Sequence, residues 1–277
     1  MSWHARLSLD LRSEHQKTTA HFEHDGPLRI LKSLYPEGPA ICHNVIVHPP
    51  GGLVGGDLLD VHVRAGTGAH GLISTPGATR FYRSDGPPAT QQVALTLDAG
   101  ARLEWLPLET IAYPGCLAHN TVRATLAEDA ELIGWDVSAL GLPTAGQPFD
   151  RGCLTQHLEI PGLWLERSRL DAADTRLLES PLGLAGHRCL GTLWLASGAP
   201  LARERRERLL EAVRAGIDTE AAGGVQAGAT CPHPQVLVLR AVAPLVEPLM
   251  ALFQHTWAVL RAQAWGLPAE PPRIWRV

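Results

Sequence analysis

The chain has 277 residues, 45% of them hydrophobic, and a formal net charge of −4 at pH 7, enough for one well-filled core. Basic residues are scattered apart from Arg203-Glu204-Arg205-Arg206, where an intervening carboxylate indicates a solvated helix face and no nucleic-acid partner. Five widely spaced cysteines suit free thiols in a reducing cytoplasm better than a disulfide framework.

Residues 1–10 have neither the cationic start nor the apolar stretch of a secretion signal. The first motif is His48-Pro-Pro-Gly-Gly-Leu-Val-Gly-Gly-Asp57. Its glycines do not open a helix with Lys-Ser/Thr, and Asp57 would repel phosphate, so the motif reads as an irregular backbone crossing and not a nucleotide site.

A weak repeat follows. Alternating strands flank small turns at Gly68-Ala69, Gly100-Ala101 and Asp129-Ala130, about 30 residues apart. A looser fourth copy is read at Pro161-Gly162. Alternation puts Val61 and Val63 on one face and Asp60, His62 and Arg64 on the other. Such a unit cannot bury its apolar face alone, so stacking of copies is expected, the competing arrangement being an ordinary sandwich of hairpins. Helices come late. One is expected over 200–215, stopping at Gly216, and a second over 245–265, stopping at Gly266 and Pro268. Residues 216–228 read as loop and 236–242 as a strand. The fold class is therefore mostly β, with β-helix-like stacked strands and two α-helices toward the C-terminus, in a single domain over 1–277. The apolar stretch 241–260 contains Glu247, two prolines and His255, so it is not a membrane span.

Catalytic signatures are missing: there is no Gly-x-Ser-x-Gly elbow and no HExxH or paired Cys-x-x-Cys. Cys42 and His43 would point to opposite faces of a strand. Cys231 and His233 have a spacing that could converge on a metal in passing, although a plain structural loop is the competing reading. The carboxylates Asp57, Asp60, Glu104, Glu109 and Glu166 lie in apolar β contexts and need partners or hydration. One reading is salt bridges, such as Glu166 with Arg169; the other is a wet internal passage for a divalent cation.

Taken together, Gly26-Pro-Leu-Arg-Ile30, Tyr35-Pro-Glu-Gly38, the 48–57 motif, Thr75-Pro-Gly-Ala-Thr-Arg-Phe-Tyr-Arg-Ser84, Leu103-Glu-Trp-Leu-Pro107, Gly191-Thr-Leu193 and Pro272-Arg-Ile-Trp275 resemble the UreD (UreH) family of urease accessory proteins. The strings occur in family order across almost the whole chain. The resemblance implies a β-helix-like fold with two helices and a non-enzymatic role. It further implies assembly with UreF and the GTPase UreG on the urease apoprotein, and part of a passage for nickel, with no tightly bound cofactor. Leu108 stands where the family usually has Gln, and Leu142 where it usually has Arg, so neither position is given a polar role.

On this reading Asp57, Asp60 and Glu166 are expected to give hydrated nickel transient oxygen contacts, with backbone hydrogen bonding as the competing role of Asp57. Phe253, Trp257 and Trp265 are expected on the partner surface, with at least one of them in the core. The competing classes are a hydrolase with an unrecognised site and a β-solenoid protein-binding module unrelated to metal. Neighbouring urease genes would discriminate between them.

Overall fold

Val61, Val93 and Val122 occupy one register position on three adjacent parallel strands, and the row continues to Leu7 on one side and Leu158 on the other. Stacking identical positions in this way buries apolar side chains that no single strand–turn–strand unit could cover. The computed structural model describes residues 2–220 and 222–276.

Each coil contributes one strand to a seven-stranded sheet and, after the turn, one to an eleven-stranded sheet. The successive pairs are Leu58–Ala65 with His70–Ser74, Ala89–Leu97 with Arg102–Leu106, and Leu117–Leu126 with Glu131–Leu142. The three turns are consecutive steps of one ladder. Gly68 N–H donates to the Ala99 carbonyl at 3.0 Å, and Glu131 N–H donates to that of Ala101 at 3.0 Å. The fold is thus the β-solenoid-like, mostly-β arrangement expected from the repeat.

The fourth copy is different. Cys153–Ile160 joins the first sheet in parallel, but Pro161-Gly162 then makes a tight turn and Trp164–Asp171 returns antiparallel within that sheet. This closes the end of the solenoid with a hairpin instead of another coil. At the other end, His4–Glu14 and Lys17–Asp25 form a second hairpin.

The second sheet is buried on both faces. In strand Glu131–Leu142 the residues Leu132 and Leu140 face the space between the sheets, while Ile133, Trp135, Val137 and Ala139 face a helical layer. That layer consists of α2 (Arg203–Glu220) and α3 (Val246–Leu260), preceded in the chain by the one-turn α1 (Thr175–Glu179). Gly216 does not stop α2. A Cβ there would lie 3.0 Å from the His255 ring, so this glycine allows close approach of α2 to α3, and the strand Gln226–His233 begins earlier than the expected loop allowed. α3 runs on into a π turn at Arg261–Trp265 and ends where Gly266 takes φ 66°, at the expected stop. The described residues contain no helix long and apolar enough to cross a membrane.

Candidate functional site

One row of inward positions on the first sheet turns polar within the largely apolar space between the sheets. By strand register it runs Ala5, Leu59, Gln91, Asn120, Gln156, Ser168, changing from aliphatic to polar at the second coil. The opposite sheet answers with Asp136 and Ser138. Asn120 Nδ2 donates to Asp136 Oδ2 at 2.6 Å, and Gln156 Nε2 donates to Asp136 Oδ1 at 2.7 Å and to Ser138 Oγ at 3.0 Å. Gln91 Nε2 donates to Asn120 Oδ1 at 3.2 Å, and Ser168 Oγ to Gln156 Oε1 at 3.0 Å. Burial pushes the Asp136 carboxyl up to about 6; the amide donors oppose the shift and the charge of Glu166 adds to it. Among the described residues this enclosed carboxylate is stabilised by neutral donors, with no arginine or lysine bonded to it.

The row meets a cavity at one end and reaches the half-buried Ser168 and Glu166 at the other. Gln91 lines a cavity of about 220 Å³ together with His48, Arg80 and Thr75, beside the glycine-rich crossing. Burial holds the His48 imidazole below its ordinary pKa, with Asp57 opposing. At the other end Glu166, a quarter exposed, accepts from Thr192 Oγ1 at 2.6 Å and from Arg240 Nε at 2.6 Å. The expected Glu166–Arg169 bridge does not form. The two residues have opposite parity on the strand, so Arg169 points outward and pairs with Asp171.

Asp57 is buried, and its oxygens accept the N–H groups of Trp3 at 2.8 Å and Val54 at 2.9 Å. These bonds hold the 48–57 crossing, where Gly51 and Gly56 take positive φ and a Cβ on Gly52 would meet the Tyr82 ring at 2.3 Å. Asp60 is on the outer face of the first sheet, 2.9 Å from His62, with the sheet between it and the interior. Of the three expected passage residues, only Glu166 adjoins the polar row. Asn120, Gln156 and Asp136 went unread in the sequence. Their signal is a polar residue at an inward position of an otherwise apolar alternation, as in Ala118-x-Asn120-x-Val122 and Leu154-x-Gln156-x-Leu158.

Phe253, Trp257 and Trp265 are corrected from surface to core: they are 0%, 0% and 8% exposed. Trp257 Nε1 donates to Glu104 at 2.5 Å and Trp265 Nε1 to Glu131 at 2.6 Å, so the indoles partner buried carboxylates instead of facing outward. Glu104 also meets His70 at 2.8 Å. Arg261, fully buried, donates to both oxygens of Glu37, which also contacts His43 at 2.7 Å. These pairs fasten the helical layer to the solenoid. Cys231 packs on the helical core, while His233 Nδ1 accepts the Gln235 N–H across a strand irregularity, so the two residues serve different contacts. Leu108 and Leu142, far apart in sequence, line one groove. No group of three or more His, Cys, Asp or Glu among the described residues is placed to hold a metal ion.

The fold and site define a class: a two-sheet β-solenoid with a helical layer pinned by buried ion pairs and a polar row through its interior. A family model described as "UreD urease accessory protein" matches residues 4–276. The chain is 60% identical over 277 residues to the urease accessory protein UreD of Variovorax paradoxus and 59% over 275 residues to that of Paracidovorax citrulli; each alignment covers 99% of both chains. It is 54% identical over 278 residues to that of Leptothrix cholodnii, covering 100% of both. The chain belongs to the UreD family of urease accessory proteins, which are non-catalytic maturation factors.

Proposed function

We propose that this chain assembles in the cytoplasm with UreF and UreG on the urease apoprotein, and that nickel, as cargo, passes through its interior along the polar row. The observation that carries the reading is the buried Asp136 carboxylate, joined by Asn120 and Gln156 to a row that runs from the His48 cavity to Ser168, beside Glu166. An aliphatic interior would be more stable, because replacing buried polar groups by well-packed apolar ones is often stabilising. Oxygen-rich, incompletely coordinating groups hold a divalent cation weakly enough to release it, as transit requires. Asp57 serves the route indirectly, by fixing the crossing beside its mouth. The widely separated thiols favour a reducing compartment.

The test replaces Asn120 and Gln156 by Leu, singly and together, and co-expresses each variant with urease, UreF and UreG. The expected outcome is an intact accessory complex and urease of low nickel content by metal analysis. Fully loaded urease from the double variant would sink the route, and absence of any complex with the wild-type chain would sink the assembly.

A further inference from the structure

A groove of about 440 Å³ lies between the start of α3 and the ends of strands Thr110–Ala112 and Glu131–Leu142. Its floor is apolar and buried, at Ala139 and Met250. Its walls include half-buried Leu108 and Ile111 and, on the helix side, Leu245, which is 44% exposed. Two carboxylates, Glu109 and Glu247, line the same groove without an ion pair or side-chain hydrogen bond among the described residues, while Arg188 on the same wall is taken up by Glu179. Both act on one buried thiol: burial first, then Glu247 and Glu109, push Cys189 up to about 12. The two charges therefore act on one small region from two different elements. Glu247 complements the N-terminus of α3. Glu109 has no such local role.

We propose that this groove docks a segment of a partner protein whose contact face carries one large apolar side chain beside an arginine or lysine. Charge selects this occupant. Two carboxylates without partners beside an apolar floor attract a cation that an apolar anchor brings with it, and desolvation on docking strengthens the pair. A second copy of this chain in a two-fold contact would set like carboxylates near one another. An anionic lipid surface would be repelled. The inference rests on the reading that the chain works in an assembly, and it replaces the buried aromatic stripe of α3 by the exposed start of the same helix.

The experiment uses the full chain with purified UreF, UreG and urease apoprotein as probes. Glu109→Arg, Glu247→Arg, the double variant and Leu245→Asp are compared with wild type by affinity measurement at low and high salt. Unchanged thermal unfolding serves as the control for folding. The double reversal is expected to weaken binding to one of the three about tenfold or more, with the charge effect shrinking as salt rises. Hydrogen exchange should show residues 108–111 and 245–250 protected in that complex. If the wild type binds and the double variant binds equally well with those segments unprotected, the groove is not a docking site, while the assembly reading stands. If the wild type binds none of the three, both fall.

Discussion

Gln156 reaches across the interior from one sheet to the other and donates to Asp136 at 2.7 Å, and beside the Asn120 bond to the same carboxylate it ties a late coil of the solenoid to its central strand. Both groups are buried. The bond therefore bears on both the stability of the chain and the path proposed through it.

Asp136 gives a pH signature. Its carboxyl is raised to about 6, whereas in the unfolded chain it titrates at about 3.9. Below both values it contributes nothing to the slope. Between them the native chain keeps a proton that the unfolded chain has lost, so stability falls as pH rises. Above the folded value the loss is complete, on the order of 3 kcal/mol. Glu37 is shifted the other way by His43 and Arg261 against its burial, so its contribution is lost as pH falls. That contribution is common to wild type and Asp136→Asn. The stability difference between the two, from urea unfolding at several pH values, should therefore move against wild type from pH 4 to pH 7 and flatten above. A difference independent of pH would mean that Asp136 ionises as freely as in water.

Arg261 is the clamp between the helical layer and the solenoid. Removing it leaves Glu37 and Glu104 buried without their guanidinium. Arg261→Met is expected to cost about 3–5 kcal/mol in denaturant unfolding. Arg261→Lys should recover only part, because an ammonium cannot bridge both oxygens of Glu37. A loss below about 1 kcal/mol would show that this guanidinium does not hold the two carboxylates in place.

Asp57 and Asp60 should behave differently. Asp57→Asn turns an amide NH₂ toward the N–H of Trp3 or Val54 and is expected to cost about 1–3 kcal/mol. Asp60→Asn changes an exposed pair with His62 and should stay within about 0.5 kcal/mol. Thermal unfolding of the two variants decides, and equal effects would contradict the assigned roles.

Gly134 tests the packing between the sheets. A Cβ there would stand 2.5 Å from the Trp194 ring, whose residue is 1% exposed. Gly134→Ala is expected to destabilise by about 1–3 kcal/mol, despite the better β propensity of alanine, because the indole has no room to move. A neutral result in denaturant unfolding would reveal slack in the interior.

The sequence by itself pointed to the solenoid, since the regular spacing of the turns at Gly68, Gly100 and Asp129 and the alternation around Val61, Val93 and Val122 favour stacked copies over a sandwich of hairpins, and strand register bears this out. It also determined the family, through strings that match position by position, and the end of α3 at Gly266. What only the tertiary structure decided depends on contacts between residues far apart in the chain. Whether Pro161-Gly162 begins another coil or a returning hairpin depends on what closes the solenoid, which no local signal encodes. Trp257 in α3 and Trp265 in the π turn after it have the same helical spacing whether they face solvent or a core. Their burial follows from Glu104 and Glu131, which lie more than a hundred residues away. Asp136, Asn120 and Gln156 each read alone as a polar interruption, and they become a site only because strand register places them in one row. A carboxylate's role is set by its partners: Asp57 has two amides, Glu166 an arginine and a threonine, and Asp136 two side-chain amides, and folding alone brings those partners within hydrogen-bond reach.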